Sequence, residues 1–125
     1  MVFWELASAI CYSGVGSFSD YLEYGTKING SWYVERVGDE RCAFSHLVID
    51  TEDRPNIVFS YGGRLGHAVR SSGGWMVTMI EPQEGIQGFA SPTMGVDSKE
   101  RVQVCCVHHR GFHEGEIRYF VSKHA

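Results

Sequence analysis

The sequence lacks several features that would narrow its function at once. Its 125 residues include only 3 prolines, and no apolar run approaches the ~18 residues that cross a membrane as a helix. Basic residues do not dominate, since 11 Lys and Arg stand against 15 Asp and Glu for a net charge of −4. Such a chain is a poor candidate for sequence-independent nucleic-acid binding, which depends on neutralising phosphates. An aromatic content of 13% excludes disorder, so we predict a single domain over residues 1–125.

Recognisable catalytic, metal-binding and targeting signatures are also missing. The chain has no Gly-x-Ser-x-Gly elbow, no dinucleotide fingerprint and no Cys-x-x-Cys or His-Glu-x-x-His motif. The first 13 residues lack a basic region and contain Glu5, which argues against a signal peptide. The four cysteines are irregularly spaced, at Cys11, Cys42, Cys105 and Cys106. Three of them lie in apolar strand-like runs, so we expect reduced core thiols in a cytoplasmic protein, without a cofactor.

The chain does contain an internal repeat. Residues 43–61 align with residues 90–108 at an offset of 47 positions, which matches Asp50 with Asp97 and apolar runs with apolar runs. Each copy is typical of two strands joined by a tight turn. The Asp ends the first strand, and its carboxylate can cap the turn by accepting backbone N–H groups.

A pattern for the third strand of the unit follows, and it occurs three times. It consists of an aliphatic residue, a spacer and an aromatic or imidazole ring, over residues 21–27, 64–70 and 116–122. Two copies continue into a hairpin turn and a tryptophan, at Asn29-Gly-Ser-Trp32 and Ser72-Gly-Gly-Trp75. The tryptophan opens a fourth predicted strand, over 32–37 or 75–80, and we interpret these tryptophans, together with Trp4, as core anchors. The unit is therefore four short strands in about 43–47 residues, which is the size of one propeller blade.

The order of these elements resembles the blade repeat of β-propeller proteins. It runs from an apolar run through Asp and a turn to a second apolar run and a loop, followed by Leu65-Gly-His-Ala-Val-Arg70 and Gly73-Gly-Trp75. It is similar to repeats in propeller lectins and in sialidase-like carbohydrate-active propellers, and the resemblance covers roughly residues 9–122. The sialidase Asp-box, Ser-x-Asp-x-Gly-x-Thr-Trp, is absent, so no catalytic residue is carried over.

The resemblance implies an all-β partial propeller of just under three four-stranded blades. Blade 1 covers about 2–41 and is incomplete, blade 2 covers about 42–85, and blade 3 covers about 86–125 without its last strand. The alternative is a single-chain β-sandwich with ordinary hairpins.

Fewer than three blades do not close a ring, since propellers have roughly four to eight. An open arc would also expose strand edges and an apolar flank. We therefore expect closure by homo-oligomerisation, most simply as a dimer, because oligomers favour closed symmetry. The N-terminal run Val2–Leu6 contains Trp4, and one hypothesis is that it completes the last blade of a neighbouring copy.

The connections between second and third strands differ among the copies, whereas the other turns resemble each other. We therefore predict that a ligand binds at the varied connections, where rings lie beside charged groups. Such a combination suits a sugar or another small polar ligand. The predicted ligand-binding residues are Tyr61, Arg64, His108, His109, Arg110, His113 and Glu116. We thus favour a non-enzymatic binding module whose partners are copies of itself and a small ligand, with no nucleic acid and no membrane.

Three other hypotheses stay open, and the first of them would place acid–base carboxylates in the central funnel of the propeller. A glycosidase-like enzyme would need a pair of carboxylates, for which Glu114 and Glu116 are weak candidates. The histidine cluster suggests a metal, with His109 and His113 as weak candidates. Adjacent strand residues such as His108 and His109 point to opposite faces, which argues against that site. A purely structural or protein-interaction disc would need none of these groups.

Overall fold

The computed structural model describes residues 9–13, 21–61, 63–81, 89–109 and 115–122. Every regular element within these ranges is a β-strand, which confirms the all-β prediction. The strands are β1 (Ala9–Ser13), β2 (Tyr21–Ile28), β3 (Ser31–Arg41), β4 (Phe44–Ile49), β5 (Pro55–Tyr61), β6 (Arg64–Ser71), β7 (Gly74–Glu81), β8 (Phe89–Val96), β9 (Val102–His109) and β10 (Gly115–Val121). Among these residues no helical segment has the length and apolar character needed to cross a membrane.

The strands form three antiparallel sheets in chain order. The N-terminal sheet is β1-β2-β3, the middle sheet is β4-β5-β6-β7, and the C-terminal sheet is β8-β9-β10. Each sheet is a meander, because its strands pair with their neighbours along the chain. The middle sheet has the four strands that the sequence predicts over 42–80. Closure of such sheets into a propeller ring, and self-association, stay predictions.

The β2–β3 hairpin has the turn that its sequence predicts. Asn29 and Gly30 both have positive φ, 50° and 84°, as the type I′ turns of two-residue hairpins require. β3 continues to Arg41, beyond the predicted end at Val37. Gly38, with a φ of 59°, and a register shift between β2 and β3 accommodate the extra length, since an irregular residue bends a strand without ending it.

The middle sheet lies between the other two and contributes to two hydrophobic cores. Side chains alternate between the faces of a strand, so Ile57 and Phe59 of β5 pack toward the N-terminal sheet and Val58 packs toward the C-terminal sheet. The first core consists of Leu22, Tyr24, Val37, Cys42, Ile57, Phe59 and Ala68. The second consists of Val58, Leu65, Met94, Val104 and Cys106.

Successive sheets use corresponding positions to pack against each other. The third-strand patterns align Leu22, Leu65 and Ile117, whose exposed fractions are 0%, 0% and 77%. Leu22 packs in the first core and Leu65 packs in the second. Ile117 lies on the face of β10 opposite to Phe120, which packs against the second core. The N-terminal and middle sheets therefore present the same face to the sheet that follows, and in the described part of the chain the corresponding face of the C-terminal sheet is exposed at Ile117.

The predicted cysteine environments are correct only in part. Cys42 and Cys106 are buried free thiols, whereas Cys105 is exposed, so its assignment to the core is wrong. The physical reason is alternation, because Cys105 and Cys106 are neighbours on β9 and only one can face the middle sheet. Burial raises the pKa of the Cys106 thiol to about 11, which keeps it protonated and unreactive. The side chain of Cys11 lies outside the described part of the chain.

The prediction that the tryptophans are core anchors is also correct only in part. Trp75 packs against the first core, with its ring centroid 5.2 Å from that of Tyr24 in an edge-on arrangement. Trp32 is 47% exposed, so the interpretation of this residue as a core anchor is wrong. It lies on the face of the N-terminal sheet that points away from the middle sheet. Trp4 lies outside the described residues.

Candidate functional site

The predicted ligand-binding residues that the structure describes lie at one end of the stack. We call it the loop end and define it by the first residues of β2, β6 and β10 and the last residues of β5 and β9. Tyr61 pairs with Arg64, and His108 pairs with Glu116. These four residues are strand ends that border the connections at which the sequence predicts a ligand. Their cross-strand pairing follows directly from the tight antiparallel return of the chain.

Arg64 connects two sheets at the loop end. Its Nη2 lies 3.7 Å from the Oε2 of Glu40, and both side chains are partly buried. The same nitrogen lies 3.6 Å from the Sδ of Met79. Glu40 reaches this position because β3 continues past Gly38, and the sequence prediction missed it. The acidic residues after Gly38 were the available signal, but nothing in the pattern showed that the strand continues through the glycine.

Tyr21 occupies the position in β2 that Arg64 occupies in β6 and Glu116 occupies in β10. The guanidinium of Arg36 lies 4.2 Å from the centre of its ring, and that of Arg41 lies 5.2 Å away. These distances correspond to cation–π contacts. The sequence prediction missed this cluster because Arg36 and Arg41 are separated from Tyr21 along the chain and meet it only through the β2–β3 pairing.

Glu116 lies in a small charged cluster on the C-terminal sheet. Its Oε1 accepts a hydrogen bond of 2.6 Å from Nε of Arg118 and lies 3.8 Å from Nδ1 of His108. The cluster pairs a planar cation with a carboxylate at a partly exposed site. Such groups can exchange hydrogen bonds with the hydroxyls of a polar ligand.

The remaining predicted site residues receive little or no structural description. Arg110, His113 and Glu114 lie outside the described residues, and His109 is placed only as the partner of Gly115 in the β9–β10 pairing. Across the described ranges, no group of three or more His, Cys, Asp or Glu side chains could hold a metal ion. The metal hypothesis and the carboxylate-pair hypothesis therefore stay predictions.

The opposite end, which we call the turn end, consists of the turns at 50–54 and 97–101 and the hairpins after β2 and β6. Asp50 Oδ1 accepts hydrogen bonds from the backbone N–H groups of Glu52 and Arg54, both at 2.9 Å. Its Oδ2 accepts from Nε of Arg54 and Nδ2 of Asn56, also at 2.9 Å. The predicted capping of this turn by the Asp carboxylate is confirmed.

The turn that follows β8 is built in the same way. Asp97 Oδ1 accepts from the backbone N–H groups of Lys99 and Arg101 at 2.8 and 2.9 Å. Its Oδ2 accepts from Nε of Arg101 at 2.7 Å and from Nε2 of Gln103 at 3.2 Å. In both turns the residue before the arginine has a positive φ, 59° at Asp53 and 60° at Glu100. The two turns thus match in capping, donors and backbone conformation.

The two turns also touch each other. Thr51 donates a hydrogen bond to Glu100, and Nη2 of Arg54 lies 3.8 Å from Oε2 of Glu100. The polar groups at the turn end are therefore largely occupied in holding the chain in place. The loop end is consequently the better candidate for a ligand.

A cavity of about 640 Å³ opens between the middle and C-terminal sheets. The residues that line it include His67, Thr78, Ile80, Val104, Phe120 and Ser122. Nε2 of His67 is 2.8 Å from Oδ1 of Asn56, and burial lowers the pKa of His67 below its ordinary value. The sequence did not predict this cavity, because its walls come from sheets whose stacking is set by the tertiary fold.

The comparisons with known proteins give no relative for this chain. No protein-family model, no curated protein and no solved structure matches it.

Proposed function

We propose that the protein is a non-enzymatic binding module of the β-propeller type, which assembles with copies of itself and binds a small polar ligand, such as a sugar, at the loop end. The observation that carries the proposal is the stacking of three meander sheets through corresponding faces. This stacking repeats one set of strand ends around one end of the molecule. It is the arrangement that blades have in a propeller.

The exposed apolar side chains on the outer faces of the stack support assembly. Ile117, Tyr119 and Val121 of the C-terminal sheet are 77%, 61% and 43% exposed. On the outer face of the N-terminal sheet, Trp32 and Val34 are also about half exposed. Contiguous exposed apolar side chains mark interaction surfaces. The two outer faces differ, and a head-to-tail contact between them would generate a ring when the rotation closes.

The chemistry of the loop end supports a polar ligand. It offers the Arg64–Glu40 pair, the Glu116–Arg118 pair and the ring of Tyr21. Charged planar groups hydrogen-bond to hydroxyls, and rings pack on apolar faces of a ligand. A ring of copies would present several such ends and bind multivalent ligands with avidity.

The test is a glycan array followed by calorimetric titration of any glycan that binds. Arg64→Ala should weaken binding at least tenfold, because the guanidinium is the central donor of the proposed site. Arg70→Ala is the matched control, since it removes the same charge from the turn end of the same strand, where Arg70 pairs with Glu35. Equal effects of the two substitutions would contradict a site at the loop end.

A protein-interaction disc is the second candidate, because the exposed apolar side chains of the outer faces favour contacts between chains. Assembled protein that binds no glycan on the array would support it. A monomer at all concentrations would contradict both functions.

A further inference from the structure

The cavity between the middle and C-terminal sheets lies beside the edge strand β10. Among the described residues, β10 has one strand neighbour, β9. An edge strand carries backbone N–H and C=O groups that can pair with another strand. The cavity is therefore an apolar groove next to the edge of a sheet.

The corresponding place between the N-terminal and middle sheets is filled by Trp75. Its ring packs edge-on against Tyr24, with the centroids 5.2 Å apart. Its indole N–H donates a hydrogen bond of 3.2 Å to Oε1 of Glu35. Trp75 lies at the start of β7, the fourth strand of its sheet, opposite Arg70 of the third strand.

The repeated strand patterns identify the same positions one sheet further along. Tyr24 of the third-strand pattern corresponds to His67, and Arg70 corresponds to Ser122. Counting from the tryptophan of each fourth strand, Glu35 corresponds to Thr78. His67, Thr78 and Ser122 all line the cavity. The cavity is therefore the place that the tryptophan of a fourth strand would occupy in the C-terminal sheet.

We propose that this cavity binds an extended strand of a different partner polypeptide, which carries a tryptophan near its start and pairs antiparallel with β10. Strand addition to a sheet edge is an established mode of peptide recognition, in which the main chain gives affinity and a pocket gives specificity. Ile80, Val104 and Phe120 provide the apolar walls for the indole. The indole N–H needs an acceptor, and the hydroxyl of Thr78 stands where Glu35 accepts from Trp75.

The experiment titrates a peptide copy of β7, residues 74–81 with a solubilising lysine tail, into the full chain. A second peptide replaces the tryptophan with alanine and is otherwise the same. We expect the tryptophan peptide to bind and the alanine peptide to bind at least tenfold more weakly, since a buried tryptophan is a typical hot spot. No binding of the tryptophan peptide, or equal binding of both, would overturn the proposal.

Two variants of the protein locate the site. Thr78→Trp places an indole of the protein's own into the cavity and should abolish peptide binding while the thermal midpoint is kept. Met76→Trp is the matched control, because Met76 is an exposed residue of the same strand that does not line the cavity. Loss of binding in both variants, or in neither, would place the peptide elsewhere.

A third peptide, residues 1–8 with Trp4, identifies the source of the strand. Weaker binding than the β7 copy would support a different polypeptide as the partner, and tighter binding would overturn that assignment in favour of the N-terminus of another copy. The inference does not require a ring, so a monomer that binds the tryptophan peptide would contradict the proposed assembly and support the cavity site.

Discussion

Asp50 and Asp97 each stabilise a turn through several hydrogen bonds to one carboxylate. Each carboxylate accepts four hydrogen bonds, two from backbone N–H groups and two from side chains. They differ in burial, because the side chain of Asp50 is 2% exposed and that of Asp97 is 19% exposed. The same network should therefore contribute more to stability in the first turn than in the second.

Removal of the buried carboxylate tests this difference. Asp50→Ala should lower the free energy of unfolding by about 2 kcal/mol, since charged hydrogen bonds are lost and their donors are left in a partly buried site. Asp97→Ala should cost less, because water reaches its donors. Urea unfolding of both variants measures the difference, and a larger loss at Asp97 would contradict it.

The two carboxylates also predict how stability depends on pH. Hydrogen bonds with the backbone and side chain of Arg101, opposed by burial, lower the pKa of Asp97 from 3.8 to about 2. Burial raises the pKa of Asp50, but hydrogen bonds from Arg54, Asn56 and Glu52 outweigh it, so this pKa is lowered too. A group with a lowered folded-state pKa stabilises the fold above its unfolded value and loses that contribution as the pH falls.

We therefore expect stability to fall between pH 3.8 and about 2 as these carboxylates become protonated. Asp97→Asn should reduce the slope of the unfolding free energy against pH in this window and leave it unchanged near pH 7. Urea midpoints measured across the window provide the check. An unchanged slope would mean that Asp97 titrates alike in the folded and unfolded chains.

At the scale of the strands, the β5–β6 pair depends on a close approach between Phe59 and Gly66. The two residues are cross-strand partners, and the ring of Phe59, which is 2% exposed, lies over the glycine. A Cβ atom on Gly66 would be 2.5 Å from Cζ of Phe59. This distance is shorter than any ordinary contact, so the ring would have to move within a packed core.

Gly66→Ala should therefore destabilise the protein by about 1–3 kcal/mol, as overpacking of a core does. Gly95→Ala is the matched control, because no atom lies within 4 Å of the Cβ that it would add. Thermal unfolding of the two variants gives the comparison. A stable Gly66→Ala protein would mean that the Phe59 ring can leave its position at little cost.

The sequence predicts these strands well because their signals are local. The Asp turns and the Asn29-Gly30 hairpin set the strand boundaries from residues within a few positions. The continuation of β3 to Arg41 was missed because it depends on pairing with Tyr21 across the sheet. The exposure of Trp32 and Cys105 was missed because alternation alone does not say which face of a strand another sheet will cover.

At the scale of the whole molecule, substitutions at the buried Leu65 and the exposed Ile117 can distinguish effects on folding from effects on assembly. They hold matching positions in successive sheets, with 0% and 77% exposure. Leu65→Ala should lower the unfolding free energy by about 2–5 kcal/mol, because it creates a cavity in the second core. Ile117→Glu should change it by less than about 0.5 kcal/mol, as exposed substitutions usually do.

The same Ile117→Glu variant should nevertheless lower the native mass measured by light scattering at matched concentration, because it places a charge on the face that meets the next copy. Ile28→Glu is the control, since Ile28 is 52% exposed on the N-terminal sheet but does not lie on an outer face of the stack. An unchanged mass in Ile117→Glu, or an equal fall in both variants, would contradict docking through this face.

The candidate site was predicted less completely than the fold. The positions of Tyr61, Arg64, His108 and Glu116 at one end follow from the strand pattern. The ion-pair partner Glu40 and the cavity around His67 arise from the stacking of separate sheets. Contacts between sheets join residues far apart in the chain, and no local pattern in a single sequence encodes them.

The match between successive packing faces also bears on how such a chain can grow. The face that the middle sheet packs against the C-terminal sheet resembles the face that the N-terminal sheet packs against the middle sheet. Duplication of a whole unit would therefore add a sheet without requiring a new kind of interface. The number of sheets in the chain could then change while the packing between successive sheets stayed the same. Proteins of this plan would vary in size by whole units, and the drift of individual residues would be constrained at both faces of every inner unit together.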